Sequence, residues 1–285
     1  MKYSVPARVK PLDVKGDGYL DRMYVADMGG QIFRFDIDND NNASLASSID
    51  GGRIASISGA AKKDARRFYY PPDVALIAEK GQSAYLALSI SSGYRAHPLD
   101  DVIQDRIYLF KETDIYNAPS TYNTLTESDL YDATLNLVAG DGNQAQNDAA
   151  QAALDSSKGW FIKLDDQTNT DTWVGEKGLS ETLIIDGVVV VTTFIPNIGT
   201  GSSCAPASGI GRVYYLDILD ASAAYPSSVD KRPDRYRQLE KGGIPPSPNV
   251  IITKGGEPTL CIGTECELAE FSMGVRKTYW YEVEK

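Results

Sequence analysis

The sequence predicts an all-β protein with one short inserted helix. Two observations carry that prediction: apolar residues recur with a period of two in short runs rich in Val, Ile, Tyr and Phe, and nearly every run ends at Gly, Pro, Asp or Asn. A third observation, a loosely repeated hairpin unit, predicts how the strands are grouped.

The first element is a hairpin, in which Arg22–Asp27 and Gln31–Asp36 flank the turn Met28-Gly29-Gly30. Further strands are predicted over Asp73–Ile77, Ala84–Ile90 and Arg106–Lys111. The Ala- and Gln-rich stretch Gln144–Leu154 breaks the β pattern and reads as a helix, with Asn143 and Asp148 as candidate caps. Strands resume over Trp160–Leu164, Thr182–Ile185, Val188–Phe194 and Arg212–Asp217. Lys231–Pro248, with its prolines, charges and Gly242-Gly243, reads as a long surface loop. Arg22-Met23-Tyr24, Arg106-Ile107-Tyr108 and Arg212-Val213-Tyr214 each open a strand that leads to an acid or a turn. Repeated units of this kind suit a modified β-propeller built from irregular antiparallel blades, although their spacing is about twice a usual blade of roughly 40–45 residues. No domain boundary interrupts residues 1–285.

Composition removes several classes of function. With 39 Asp and Glu against 28 Lys and Arg, the net charge is -11, and no dense basic run exists, which argues against nucleic acid or an anionic membrane as partner. No apolar run approaches the roughly 18 residues of a membrane span, and the opening Met-Lys-Tyr-Ser-Val-Pro lacks the apolar core of a signal peptide. A single histidine, His97, cannot supply a two-histidine zinc site or a proton-relay pair, and no Gly-x-Ser-x-Gly motif accompanies it. The expectation is a non-enzymatic protein.

The most pointed chemistry lies in Asp13-Val14-Lys15-Gly16-Asp17-Gly18-Tyr19-Leu20-Asp21, where acids stand at loop positions 1, 5 and 9 and glycine at position 6. Calcium takes six to eight oxygens, which such a loop offers through alternate side chains and the carbonyl of position 7, here Tyr19. Position 3 is Lys15, which cannot donate an electron pair while charged, and position 12 is Tyr24 where an EF-hand has its bidentate Glu. The loop therefore reads as a weakened calcium site outside the EF-hand class, the alternative being a polar turn with solvated aspartates. A second acidic stretch, Asp36–Asn42, also places oxygens at alternate positions but lacks the position-6 glycine; it reads as a flexible turn, the alternative being a second metal site.

Three cysteines leave one unpaired. Cys261 and Cys266 are close enough for a local turn to bridge, and a disulfide there is worth about 2 kcal/mol on the chain-entropy estimate, while Cys204 has no sequence-local partner. Free buried thiols are the other reading.

Several segments together resemble the PilY/PilC proteins of type IV pili. They are Gly16-Asp17-Gly18 through Asp21 to Asp27 with the Gly-Gly-Gln-Ile-Phe-Arg-Phe-Asp hairpin, Ser92–Leu99, Lys158–Phe161, Gly175-Glu176-Lys177, Thr192–Pro196 ahead of Cys204, the Arg212–Asp217 strand, Ile244–Pro248 and a terminal strand at Trp280. The resemblance implies the C-terminal part of a β-propeller domain, with a long N-terminal half outside this chain. It implies export through the periplasm and outer membrane, and display at the pilus tip on minor pilins. Ca2+ there is linked to pilus extension and retraction, and the family also serves twitching motility and adhesion to host or abiotic surfaces. Carried over by position, the ligands are Asp13, Asp17, Asp21 and the Tyr19 carbonyl, with Lys15 departing from the pattern. Two other readings compete: a quinoprotein-like propeller dehydrogenase, which the absence of vicinal cysteines disfavours, and a generic extracellular binding propeller.

Overall fold

The computed structural model describes residues 1–39, 45–78, 83–167, 172–196, 208–224, 231–252 and 258–268. Within them the chain lays down four sheets in succession. The first has the order β1 (Lys10–Leu12), β2 (Arg22–Ala26), β3 (Gln31–Ile37), β4 (Ile49–Ser56). The second contains β5 (Asp73–Ile77), β6 (Tyr85–Ser91), β7 (Arg106–Glu112), β8 (Tyr131–Asp132) and β9 (Gly159–Lys163), in the spatial order β5-β6-β7-β9-β8. The third joins β10 (Lys177–Gly178) and β11 (Leu183–Ile185) to one side of β12 (Val188–Ile195), followed by β13 (Ile210–Asp217) and β14 (Tyr236–Gln238). The fourth is β15 (Asn249–Ile252), β16 (Pro258–Ile262) and β17 (Glu265–Leu268). All pairings are antiparallel except β8 with β9. None of the sheets closes into a barrel.

Side-chain alternation decides how the sheets stack. Successive residues of a strand point to opposite faces, and in β7 Tyr108 and Phe110 join one core while Ile107 and Leu109 join another. The first core holds Tyr24, Ala26 and Ile32 of the first sheet against Leu88, Tyr108 and Phe161 of the second. The other face of the second sheet, through Ala87, Leu109, Trp160 and Ile162, meets Val189, Val191, Tyr214 and Leu216 of the third. A third core joins Val190, Val213 and Tyr215 to Leu260 and Ile262 of the fourth. The second sheet is thus covered on both faces, which is why β6 is buried at every residue while β3 alternates. Trp160, with no exposed surface, donates its indole N–H to the Ile218 carbonyl at 3.0 Å, so its burial leaves no donor unpaired.

The repeated Arg-x-Tyr unit has a common structural role. Arg22, Arg106 and Arg212 are each paired with a carboxylate, and Tyr24, Tyr108 and Tyr214 have no exposed surface. Asp36 accepts from Arg22 Nε at 2.7 Å, Arg34 Nε at 2.7 Å and the Tyr122 hydroxyl at 2.9 Å. Glu127 accepts from Arg106 and, at 3.1 Å, from the Tyr108 hydroxyl. Glu176, wholly buried, accepts from Arg212 at 2.6 Å, Thr193 at 2.5 Å and Tyr214 at 2.9 Å. Burial still raises its carboxyl above the ordinary range, the arginine and the two hydroxyls pulling it back only in part. Beside it, the buried Lys177 ammonium donates to the carbonyls of Pro98 (3.0 Å), Asp100 (2.7 Å) and Gly175 (2.6 Å), which anchors the Ser92–Leu99 connection.

Three expectations change. Asp36 belongs to β3 and is a buried ion-pair partner, so the stretch from Asp36 is not simply a flexible turn; residues 40–42 lie outside the described residues. Lys231–Pro248 is not only surface loop: it contains β14, and Arg232 and Arg235 are buried, reaching Asp165 and Asn136. The helix spans Gln144–Ser156 with Asn143 as its cap, closed by reciprocal bonds with Gln146, whereas Asp148 lies inside and accepts from Gln144.

Candidate metal centre

The aspartate loop joins β1 to β2, and an Asp21 N–H to Leu12 carbonyl bond of 3.0 Å pins its two ends together. Asp13 organises the turn: Oδ1 accepts from the N–H groups of Gly16 (2.6 Å) and Asp17 (3.2 Å), and Oδ2 from Gly18 (2.7 Å). Such a tight return requires left-handed backbone at Gly16 (φ 72°) and Gly18 (φ 88°). No atom crowds either position, so conformation and not space demands glycine there. Asp17 accepts from the Tyr19 N–H at 2.9 Å, and Asp21 Oδ2 from Val14 (2.9 Å) and Lys15 (3.0 Å).

The folding of the loop brings together Asp13, Asp17 and Asp21, each of which offers a carboxylate oxygen within 4.8 Å of the others. Asp21 is buried, Asp13 half-buried and Asp17 exposed. This hard, all-oxygen donor set could hold a metal ion and matches the preference of calcium or magnesium over softer ions. Lys15 is not a ligand, because its ammonium lies 3.3 Å from Asp21 Oδ1 as a partial, half-exposed counter-charge. Tyr19 is 66% exposed. Sequence reading placed Asn39 in a separate acidic stretch and did not connect it to this loop, yet its carboxamide nitrogen donates to the Leu20 carbonyl (3.2 Å) and Asp21 Oδ1 (3.3 Å) from the turn after β3. The only signal for it was the second acidic stretch, whose proximity depends on β2 and β3 pairing.

Elsewhere, Cys261 and Cys266 face each other across the β16–β17 hairpin and are bonded, and Cys204 lies outside the described residues, as does Trp280. His97 is exposed, its ring 4.7 Å from that of Tyr94. Among the described residues no helix is long and apolar enough to cross a membrane.

The succession of four stacked sheets has a counterpart among solved structures. In fold, the chain is similar to the C-terminal domain of Pseudomonas aeruginosa PilY1. The similarity has a TM-score of 0.61, spans 90% of this chain and 59% of the PilY1 chain, and is accompanied by 16% sequence identity. At that identity PilY1 establishes the architecture alone, and it extends well beyond the part this chain matches. No family model and no curated protein matches the sequence.

Proposed function

We propose that this chain is the C-terminal propeller region of a type IV pilus tip protein, acting in pilus biogenesis, extension and retraction, twitching and surface adhesion by binding and not by catalysis. The fold similarity to PilY1 across 90% of the chain carries this reading. In this reading the four sheets are blades of a modified propeller. Its partners are minor pilins and a host or abiotic surface, reached by export through the periplasm and outer membrane. The Cys261–Cys266 bond supports an oxidising destination.

In this reading Asp13, Asp17 and Asp21 hold Ca2+, with the Tyr19 carbonyl and water completing the shell. The ion supplies a charge that draws the three carboxylates together. Lys15 gives up its place beside Asp21 to the divalent ion, and Asn39 links the occupied loop to the turn after β3. Competition from Lys15 sets the affinity toward the weak extracellular range, about 10⁻⁴ to 10⁻³ M. The test is calorimetric titration of the chain and of Asp17→Ala with Ca2+, alongside surface motility of cells carrying each form. Saturable binding and motility, both lost in Asp17→Ala, are expected. A cation-binding chain whose deletion leaves piliation and motility intact removes the pilus role, and normal binding by Asp17→Ala removes the site.

A further inference from the structure

A groove of about 470 Å³ lies against the last strand of the second sheet, far in sequence from the aspartate loop. Leu135, Leu137, Ala149 and Ala150 give it an apolar lining, and Asp132 and Lys163 frame it. Its size suits a short segment of chain and is too small for a folded domain. Leu135 is 44% exposed and Ala149 is exposed on the helix, so this apolar surface faces solvent.

The strand bordering the groove is an open edge. β8 ends the order β5-β6-β7-β9-β8, and no described strand pairs with its far side. In its parallel register Asp132 stands opposite Phe161, and the N–H of Ala133 donates to the Phe161 carbonyl at 2.9 Å. Main-chain groups of successive strand residues alternate in direction, so the N–H of Ala133 faces β9 and the N–H and C=O of Asp132 face the open side, while the Ala133 carbonyl accepts from the Asn136 N–H at 3.2 Å in the turn that ends the strand. The Asp132 carboxylate is already engaged, accepting from the Thr134 N–H at 3.1 Å and pairing with Lys163 at 3.1 Å. That leaves the backbone of β8, and not its side-chain charge, to meet a ligand. One acid and one base at the rim give it no net charge, which disfavours polyanions and polycations alike.

We propose that this edge and groove bind an extended, uncharged peptide with aliphatic residues at alternate positions, which adds to β8 as a further strand and seats one aliphatic side chain on Leu135 and Ala149. Strand addition combines main-chain hydrogen bonds for affinity with a side-chain pocket for selectivity. The proposal is independent of the pilus reading and of the metal site.

The probe is the blocked pentapeptide acetyl-Thr-Val-Thr-Val-Thr-amide, titrated into the full chain and followed by NMR, with circular dichroism to verify the fold of each variant. Saturable binding is expected, weakened about tenfold or more by Ala149→Trp, which fills the groove from an exposed helix position, and similarly by N-methylation of the central peptide bonds. Leu135→Ser supplies a second variant should Ala149→Trp not fold. No saturation at millimolar peptide overturns the proposal, as does equal binding of the N-methylated peptide or full binding by a folded groove variant. Saturable binding of a neutral oligosaccharide that the peptide does not displace also overturns it, assigning the groove to sugars.

Discussion

The carboxylates of this protein live in two environments. Asp36 and Glu176 each meet a guanidinium and a tyrosine hydroxyl in the buried interior, and Glu127 makes the same contacts from a partly exposed turn. Asp13, Asp17 and Asp21 meet backbone N–H groups, one side-chain amide and a single half-exposed ammonium. The interior acids are neutralised by the fold itself, because a buried charge without a partner is strongly unfavourable. The loop acids keep an excess of negative charge on a site that runs from the buried Asp21 to the exposed Asp17, where solvent reaches the outer carboxylates and a cation can relieve the charge. The two groups therefore answer differently to mutation, pH and added ions.

The largest effect should come from breaking an interior pair. Arg212→Met leaves the Glu176 carboxylate buried beside only hydroxyl donors, and a loss of about 3–5 kcal/mol is expected in chemical denaturation. Adding Glu176→Met should restore most of it. If the single variant unfolds at nearly the wild-type denaturant midpoint, the interior acids are no more dependent on their partners than the loop acids.

Asp105 sharpens the contrast as an interior acid with no arginine in direct contact. One carboxylate oxygen accepts from Ser92 at 2.7 Å and the other has no hydrogen-bond partner among the described residues. Burial pushes its carboxyl up to about 7, against the pull of Ser92 and the more distant Lys177. An unfolded Asp protonates near pH 4, so between these values the folded chain keeps a proton that the unfolded chain has released. The group's favourable contribution is complete below about pH 4 and gone above about pH 7, so stability from this residue falls as pH rises across that window. Asp105→Asn should flatten that part of the stability-against-pH curve; an unchanged slope refutes the assignment.

Asp17→Ala should leave stability in metal-free buffer within about 1 kcal/mol of wild type, as expected for an exposed side chain outside any packed core. In millimolar calcium the wild type alone should gain melting temperature. Smallest of all, Lys15→Asp should tighten the cation site by about tenfold, equivalent to about 1.4 kcal/mol, by removing the competing ammonium and supplying an oxygen. Identical calcium isotherms for Lys15→Asp and wild type would show that position 3 stands outside the site.

The legible parts of this structure are those fixed by local pattern. The strands at Asp73–Ile77 and Arg106–Glu112 lie within one residue of their expected bounds, because alternating or continuous apolar runs between turn residues leave little choice. β4 escaped notice because Asp50, Gly51 and Gly52 erase the alternation; its glycines lie against the Phe35 and Tyr122 rings, contacts made by distant segments. β14 was hidden among the charges of Lys231–Pro248, since nothing local says that Arg232 and Arg235 turn inward to acceptors on residues 165 and 136.

By itself the sequence determined the β class, the main hairpins, the capped helix and the spacing of Asp13, Asp17 and Asp21, all set by interactions across a few residues: pleat alternation, glycine's access to positive φ, and side-chain caps on nearby N–H groups. Tertiary structure alone decided which face of each sheet meets which neighbour, which arginine neutralises which acid, that Asn39 and the Lys15 ammonium lie against Asp21, and that β8 is left as an edge beside a groove. Those features depend on pairings between residues tens of positions apart, whose geometry is specified by the packing of whole sheets and by no short stretch of chain.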